Sequence, residues 1–254
     1  MSGRKVKLVY ISDYTCPWCY IGYKELQNAI KQTPQLGFNY EIDVRPFTLA
    51  SSEKQCSGID KEEAMVKKFG RERWENCKNV VIQKGQEVGI EFAMAGPLSQ
   101  TMLAHRLMAK AQIVAGTEGQ LKLLQAIFSA YHEQEMDIGS EDVLAELAEE
   151  QGILSRDETL AFLQSDELLV KVDDQIKEAR AKGVQGVPFT IIDGRWAVSG
   201  GQPAPVFVQI FNKLAAACGC AGQTHDAPTP KAVHDCSKTC NDGMCQDADG
   251  PTCS

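Results

Sequence analysis

The chain has 254 residues, 43% apolar and 24% charged, the proportions of a globular protein large enough to bury its own core. A formal net charge of -8 and a pI of about 5.1 argue against a protein that binds nucleic-acid phosphates by displacing counterions with Lys and Arg. No run approaches 18 uncharged apolar residues, so no membrane-spanning helix is expected.

The start, Met1 to Ser12, has no long apolar stretch and no small-residue cleavage site before the first strand pattern, which points to an unprocessed, cytoplasmic protein. Ten cysteines are many for that compartment, and six of them fall in the last 37 residues. Lys5 to Ser12 carries Val6, Leu8, Val9, Tyr10 and Ile11, a β-branched and aromatic run that reads as a strand buried on both faces. Cys16-Pro17-Trp18-Cys19 follows and opens a helix, with Leu26, Ala29 and Ile30 on its apolar side and Pro17 near the first helical position. Pro34 and Gly37 stop it. Phe38 to Val44 then alternates apolar and polar, a half-buried strand that completes a parallel βαβ unit.

Helical periodicity takes over for about 130 residues, with helices expected at 61–69, 74–88, 98–115, 119–133, 140–151, 156–163 and 166–181. Ser140 and Ser165 are candidate N-caps. So much continuous helix exceeds one crossover and implies an inserted subdomain. Val187 to Ile192 and Arg195 to Val198 read as a hairpin turned at Asp193-Gly194, and Pro203 to Ala217 as a last helix. From Gly222 onward there is no aromatic residue and no apolar period, so the last 33 residues cannot build a hydrophobic core.

Two cysteines two residues apart can close a disulfide within one helical turn. At the junction of a buried strand and a helix, the first thiol meets unpaired backbone N–H groups that favour its anion. Cys16 is therefore the candidate nucleophile, exposed and easily ionised, and Cys19 the resolving thiol one turn inside. Trp18 offers an apolar ledge to a partner, and Pro17 restricts the geometry between the thiols. Asp13 either caps the helix or opposes ionisation of Cys16. A structural zinc half-site and two redox-silent thiols are the competing readings of the same spacing.

Three segments together resemble the DsbA-like branch of the thioredoxin superfamily: Ser12 to Gly22, Gly183 to Phe189, and Val198 to Pro203. The chain looks most similar to its intracellular group of FrnE-type oxidoreductases and 2-hydroxychromene-2-carboxylate isomerases. The resemblance spans about residues 5 to 220. It implies an α/β thioredoxin fold with a large inserted all-helical subdomain and a cysteine-rich C-terminal tail. Its parts are a βαβ part at 1–49, the insertion at 50–181, a ββα part at 182–221, and a flexible tail at 222–254. It further implies that Pro188 is a cis-proline facing the thiols and that Val187 pairs its backbone with a bound peptide. The implied activity is thiol–disulfide exchange on proteins or peptides, with glutathione as a redox partner and no cofactor or metal required. The isomerase relatives commonly carry serine where this chain has Cys16, so a glutathione-dependent isomerase or transferase is the rival reading.

The other cysteines allow several pairings. Cys240 and Cys245 form a second close pair, expected to relay electrons to the first dithiol. A static knot of Cys236, Cys240, Cys245 and Cys253, joined or not by Cys218 and Cys220, is the alternative. A metal site on those four, with His225 and His234 nearby, would instead make this a metal-binding protein. A Cys56–Cys77 bridge is not favoured. His105 and His132 read as packing histidines, Glu133 and Glu135 as solvated helix-end acids, and Phe69, Trp74, Met102 and Met108 as core or groove lining.

Overall fold

Val6 and Leu8 alternate with Lys5 and Lys7 in the first half of the opening strand, and only its second half is buried on both faces. The expectation of a strand buried throughout is corrected there: Lys5 and Lys7 face water and pair with Glu41 and Asp43 of the neighbouring strand. The computed structural model describes residues 3–49, 59–218 and 232–233. In chain order the elements are β1 (Lys5–Ser12), α1 (Pro17–Gln32), a 3₁₀ turn (Pro34–Leu36), β2 (Asn39–Pro46), α2 (Lys61–Phe69), α3 (Arg71–Glu87), α4 (Met102–His132), α5 (Glu141–Glu150), α6 (Arg156–Leu163), α7 (Leu169–Ala181), β3 (Phe189–Ile192), β4 (Trp196–Ser199), α8 (Ala204–Cys218) and β5 (Ala232–Val233).

The strands form one sheet in the order β2-β1-β3-β4-β5. β1 runs parallel to β2 and antiparallel to β3, and β3 is antiparallel to β4. Helices α2 to α7 all lie between β2 and β3. This is a thioredoxin-like α/β core interrupted by a large helical insertion, as expected. Outer strand β2 is covered rather than left bare: α4 and α7 pack on it. The Gln120 amide accepts from Val44 N–H at 3.3 Å and donates to Val44 C=O at 3.4 Å. Buried side chains run without a break from the sheet into the insertion. Among the described residues no helix is long and apolar enough to cross a membrane.

Four local expectations are corrected. The two helices expected at 98–115 and 119–133 are one element, α4, bent at Gly116, whose φ of 66° and ψ of -166° are non-helical. It begins at Met102 because residues 96–98 are drawn into extended pairing: Lys61 N–H donates to Gly96 O and Leu98 N–H to Ile59 O, each at 2.9 Å. Helix α7 starts at Leu169, not at 166. Ser165 spends its hydroxyl on Phe162 O and Glu167 N–H, and Leu168 is left-handed at φ 65°. The hairpin holds three residues, 193–195, since Ile192 pairs with Trp196. Finally, Ala232–Val233, within the segment expected to be a flexible tail, pairs parallel with Ala197 and Val198 of β4. A backbone ladder of that kind needs no apolar period in the sequence.

Candidate active site

β1 delivers the chain into a tight turn in which Cys16 N–H donates to Asp13 O at 3.2 Å, and Cys19 N–H donates to Cys16 O at 3.0 Å. Cys16 is the N-cap residue of α1, with extended backbone and no side-chain cap bond. Pro17 takes the first helical positions, and no acidic residue lies in the first turn. No capping side chain or first-turn carboxylate competes there with a negative charge on Cys16 for the positive end of the helix. Asp13 does not cap the helix. Its Oδ2 accepts from Leu49 N–H at 2.7 Å, and its Oδ1 lies 3.8 Å from His105 Nε2.

Both cysteines are in the thiol form. The expectation of an exposed attacker is corrected: Cys16 is only 3% exposed, and Cys19 is fully buried at 0%. The reason is a contact across 171 positions of sequence, in which the Cys16 thiol donates to the Val187 carbonyl at 3.6 Å. The Val187–Pro188 peptide is cis, and Gly200 N–H donates to Pro188 O at 2.8 Å. A Cβ at Gly22 would lie 3.0 Å from Pro188 Cγ, 3.2 Å from Gly201 Cα and 3.3 Å from Tyr10 Oη, so α1 approaches the proline loop closely because residue 22 has no side chain. Trp18, half-buried, rests on Gly201. Cys16, Pro17, Trp18, Cys19, Val187 and Pro188 therefore come together as one site.

Several neighbours escaped the sequence reading. Tyr10 donates its hydroxyl to Cys19 O at 2.5 Å, and burial, with the two thiols beside it, pushes the phenol well above its ordinary pKa. Tyr14 and Tyr20 bracket the dithiol and reach into the insertion. Tyr14 lies over His105 with centroids 4.5 Å apart, and Tyr20 stacks on Phe128 at 5.0 Å. Glu133 is not merely solvated: it accepts from the Tyr20 hydroxyl at 2.7 Å, while Gln125 donates to the same oxygen at 2.5 Å. His105 and His132 are buried, each driven down to about 3, chiefly by burial, and each has one ring nitrogen without a partner, so they are not the satisfied packing histidines expected. Burial likewise lowers Lys61 to about 8, its ammonium 3.9 Å from the Tyr131 ring centroid. The only signal available in the chain was the placement of two tyrosines on either side of Cys16 and Cys19.

Trp74 and Met108 are core residues, as expected. Cys77 is a half-buried thiol on α3 and not bridged. Cys56, Cys220, Cys236, Cys240, Cys245, Cys253 and the side chain of Cys218 lie outside the described residues, and with them the relay, knot and tail-metal readings. Among the described residues no group of three or more His, Cys, Asp or Glu side chains is placed to hold a metal ion.

A dithiol at the first turn of α1, facing a cis-proline loop on a thioredoxin-like sheet, defines a thioredoxin-fold redox protein. Residues 7–212 match the DSBA-like thioredoxin domain family, and the chain belongs to it, among thiol–disulfide oxidoreductases. An uncharacterized protein of Bacillus subtilis (strain 168), YwbO, is 29% identical over 149 residues, 58% of this chain and 67% of that protein. The fold is similar to that of a probable DsbA oxidoreductase from Streptomyces coelicolor, at a TM-score of 0.74 and 24% identity over 87% of this chain and 94% of that one. It is also similar to a 2-hydroxychromene-2-carboxylate isomerase, at a TM-score of 0.62 and 14% identity over 84% and 98% of the two chains.

Proposed function

We propose that this protein exchanges disulfides through a mixed-disulfide intermediate, with Cys16 as attacker and Cys19 as resolving thiol. The observation that carries the reading is the setting of Cys16: it is the N-cap of a helix with no capping side chain and no acidic residue in its first turn, it touches Val187 O, and Cys19 lies one turn behind it. The Cys16 thiolate attacks one sulfur of a substrate disulfide and expels the other as a thiolate. Cys19, losing its proton to solvent, then attacks Cys16 and releases the second substrate thiolate. The substrate gains two electrons, and the enzyme is left with a Cys16–Cys19 disulfide.

Substrates are disulfide-containing proteins or peptides, and glutathione is the partner that restores the dithiol. No cofactor beyond the two sulfurs is needed. In a reducing cytoplasm the direction is reduction or isomerisation. A glutathione-dependent isomerase would need only a site for a bound thiolate, and the second thiol at Cys19 speaks against it.

Insulin reduction tests the reading. Wild type should precipitate the insulin B chain in the presence of glutathione, and Cys16→Ser should fall to the uncatalysed rate. Cys19→Ser should accumulate a covalent substrate adduct mapped by mass spectrometry to Cys16. Full activity in Cys16→Ser would sink the assignment.

A further inference from the structure

Helix α4 passes the turn before Cys16 twice, once on each side of its bend at Gly116, and each pass carries a buried histidine. Before the bend, His105 Nε2 lies 2.9 Å from the Phe47 carbonyl oxygen. A carbonyl can only accept, so Nε2 carries the hydrogen. Nδ1 is then a bare acceptor, and it has no partner. The same ring lies against Tyr14, centroids 4.5 Å apart and planes tilted by 37°. After the bend, His132 is bonded to the backbone of Tyr14. Its Nε2 has no partner, so this bond runs through Nδ1, which donates to the Tyr14 carbonyl. The two imidazoles are thus opposite tautomers gripping one residue, by its ring and by its peptide.

The arrangement is costly as packing. Each buried, unpaired nitrogen forfeits its hydration, about 1–3 kcal/mol, and a phenylalanine would fill similar volume without that loss. What phenylalanine cannot do is hold a carbonyl. Tyr14 stands two residues before Cys16, within the turn closed by Cys16 N–H on Asp13 O. A peptide plane pinned at Tyr14 cannot rotate, and its rotation would carry the Cys16 sulfur off the end of α1.

We propose that His105 and His132 are positioning residues for the nucleophile, the helical insertion using one imidazole from each half of α4 to hold Tyr14 and so fix the turn that presents Cys16. The assignment rests on Cys16 being the attacking thiol. It makes the insertion part of the catalytic geometry and gives α4's two histidines a role that neither performs by touching substrate.

Two measurements test it. Nitrogen-15 NMR of the reduced wild-type protein should find His105 protonated at Nε2 and His132 at Nδ1 at neutral pH. Both rings in one tautomer overturns the proposal, whatever the variants do. Second, alkylation of Cys16 by iodoacetamide is followed against pH by mass spectrometry of the Cys16 peptide in a Cys19→Ser background. His132→Phe should slow alkylation about tenfold at neutral pH and displace the pH profile upward. His132→Asn, whose amide nitrogen stands where Nδ1 stood, should return the rate to within about threefold of its parent. His105→Phe, which keeps a ring beside Tyr14 but loses the bond to Phe47 that anchors it there, should behave as His132→Phe, with His105→Gln as its rescue. A folded His132→Phe protein whose profile coincides with that of its parent overturns the proposal, since a purely structural histidine would lower stability without moving the thiol. Failure of wild type to reduce insulin counts against the dithiol reading alone, because tautomers and alkylation are read without turnover.

Discussion

A methyl group on Gly201 would stand 3.1 Å from the Trp18 carbonyl oxygen and 3.2 Å from its Cε3. Gly201 has no positive φ, so alanine meets no backbone strain of its own there, and what has to give is Trp18, its carbonyl in the first turn of α1 as well as its indole. Gly201→Ala should therefore displace Trp18 from the proline loop, at a cost of roughly 1–3 kcal/mol at most. Insulin reduction should fall several-fold, with changed Trp fluorescence and a small loss in urea midpoint. Unaltered turnover would mean that the indole has no part in substrate approach. Gly200-Gly201 was visible in the sequence as a chain break, but not as the floor beneath Trp18. That role exists only because β4 and α1 are brought together from opposite ends of the fold.

Between residue and fold, the joint of α4 with α6 shows how one charge organises an element boundary. The Arg106 guanidinium donates to the carbonyls of Glu167 at 2.9 Å, Leu163 at 3.1 Å and Phe162 at 3.2 Å, and to that of Ser165. Phe162 and Leu163 end α6, and Ser165 and Glu167 lie in the link to α7. The Phe162 ring lies against the same cation at 5.1 Å. A fork of five N–H donors can serve four oxygens at once, whereas an ammonium cannot. Arg106→Lys should cost about 2–3 kcal/mol in urea unfolding and expose the segment around residues 163–168 to proteolysis. A lysine variant as stable and protease-resistant as wild type would show that the clamp contributes nothing. Periodicity found α6 and α7 but set the start of α7 three residues early, because a side chain from α4 occupies the carbonyls that local patterning assigns to a continuing helix.

For the molecule as a whole, the two neutral histidines set a stability requirement. Each has a folded pKa of about 3, against an unfolded value near 6.5, so the unfolded chain binds more protons between those limits. Their stabilisation is complete above pH 6.5 and is lost as pH falls toward 3. At pH 5 the loss amounts to about 2 kcal/mol for each ring. Urea unfolding at pH 7 and pH 5 should show that drop in wild type, and His105→Gln should show a drop smaller by about 2 kcal/mol. An equal pH dependence in both proteins would mean that His105 titrates normally. Because buried side chains form one cluster across sheet and insertion, the loss should appear in a single transition.

The order of most elements and the strand-to-helix junction at Cys16 were legible in the chain, since periodicity, proline placement and motif spacing are local properties, whereas the proline loop at Val187–Pro188 was legible only through the family resemblance. Through-space contacts are not. The burial of Cys16 against Val187, Tyr10 on the Cys19 carbonyl, Glu133 on Tyr20 and the grip of His105 and His132 on Tyr14 join residues from separate elements. The bend at Gly116 and the pairing of Ala232–Val233 with β4 were likewise decided by tertiary surroundings. A two-residue strand is too short to carry a period, and a histidine's tautomer is chosen by the acceptor that the fold places beside it. Sequence alone placed two thiols at the start of a helix; the contact with Val187, 171 positions away, decided how the first is held.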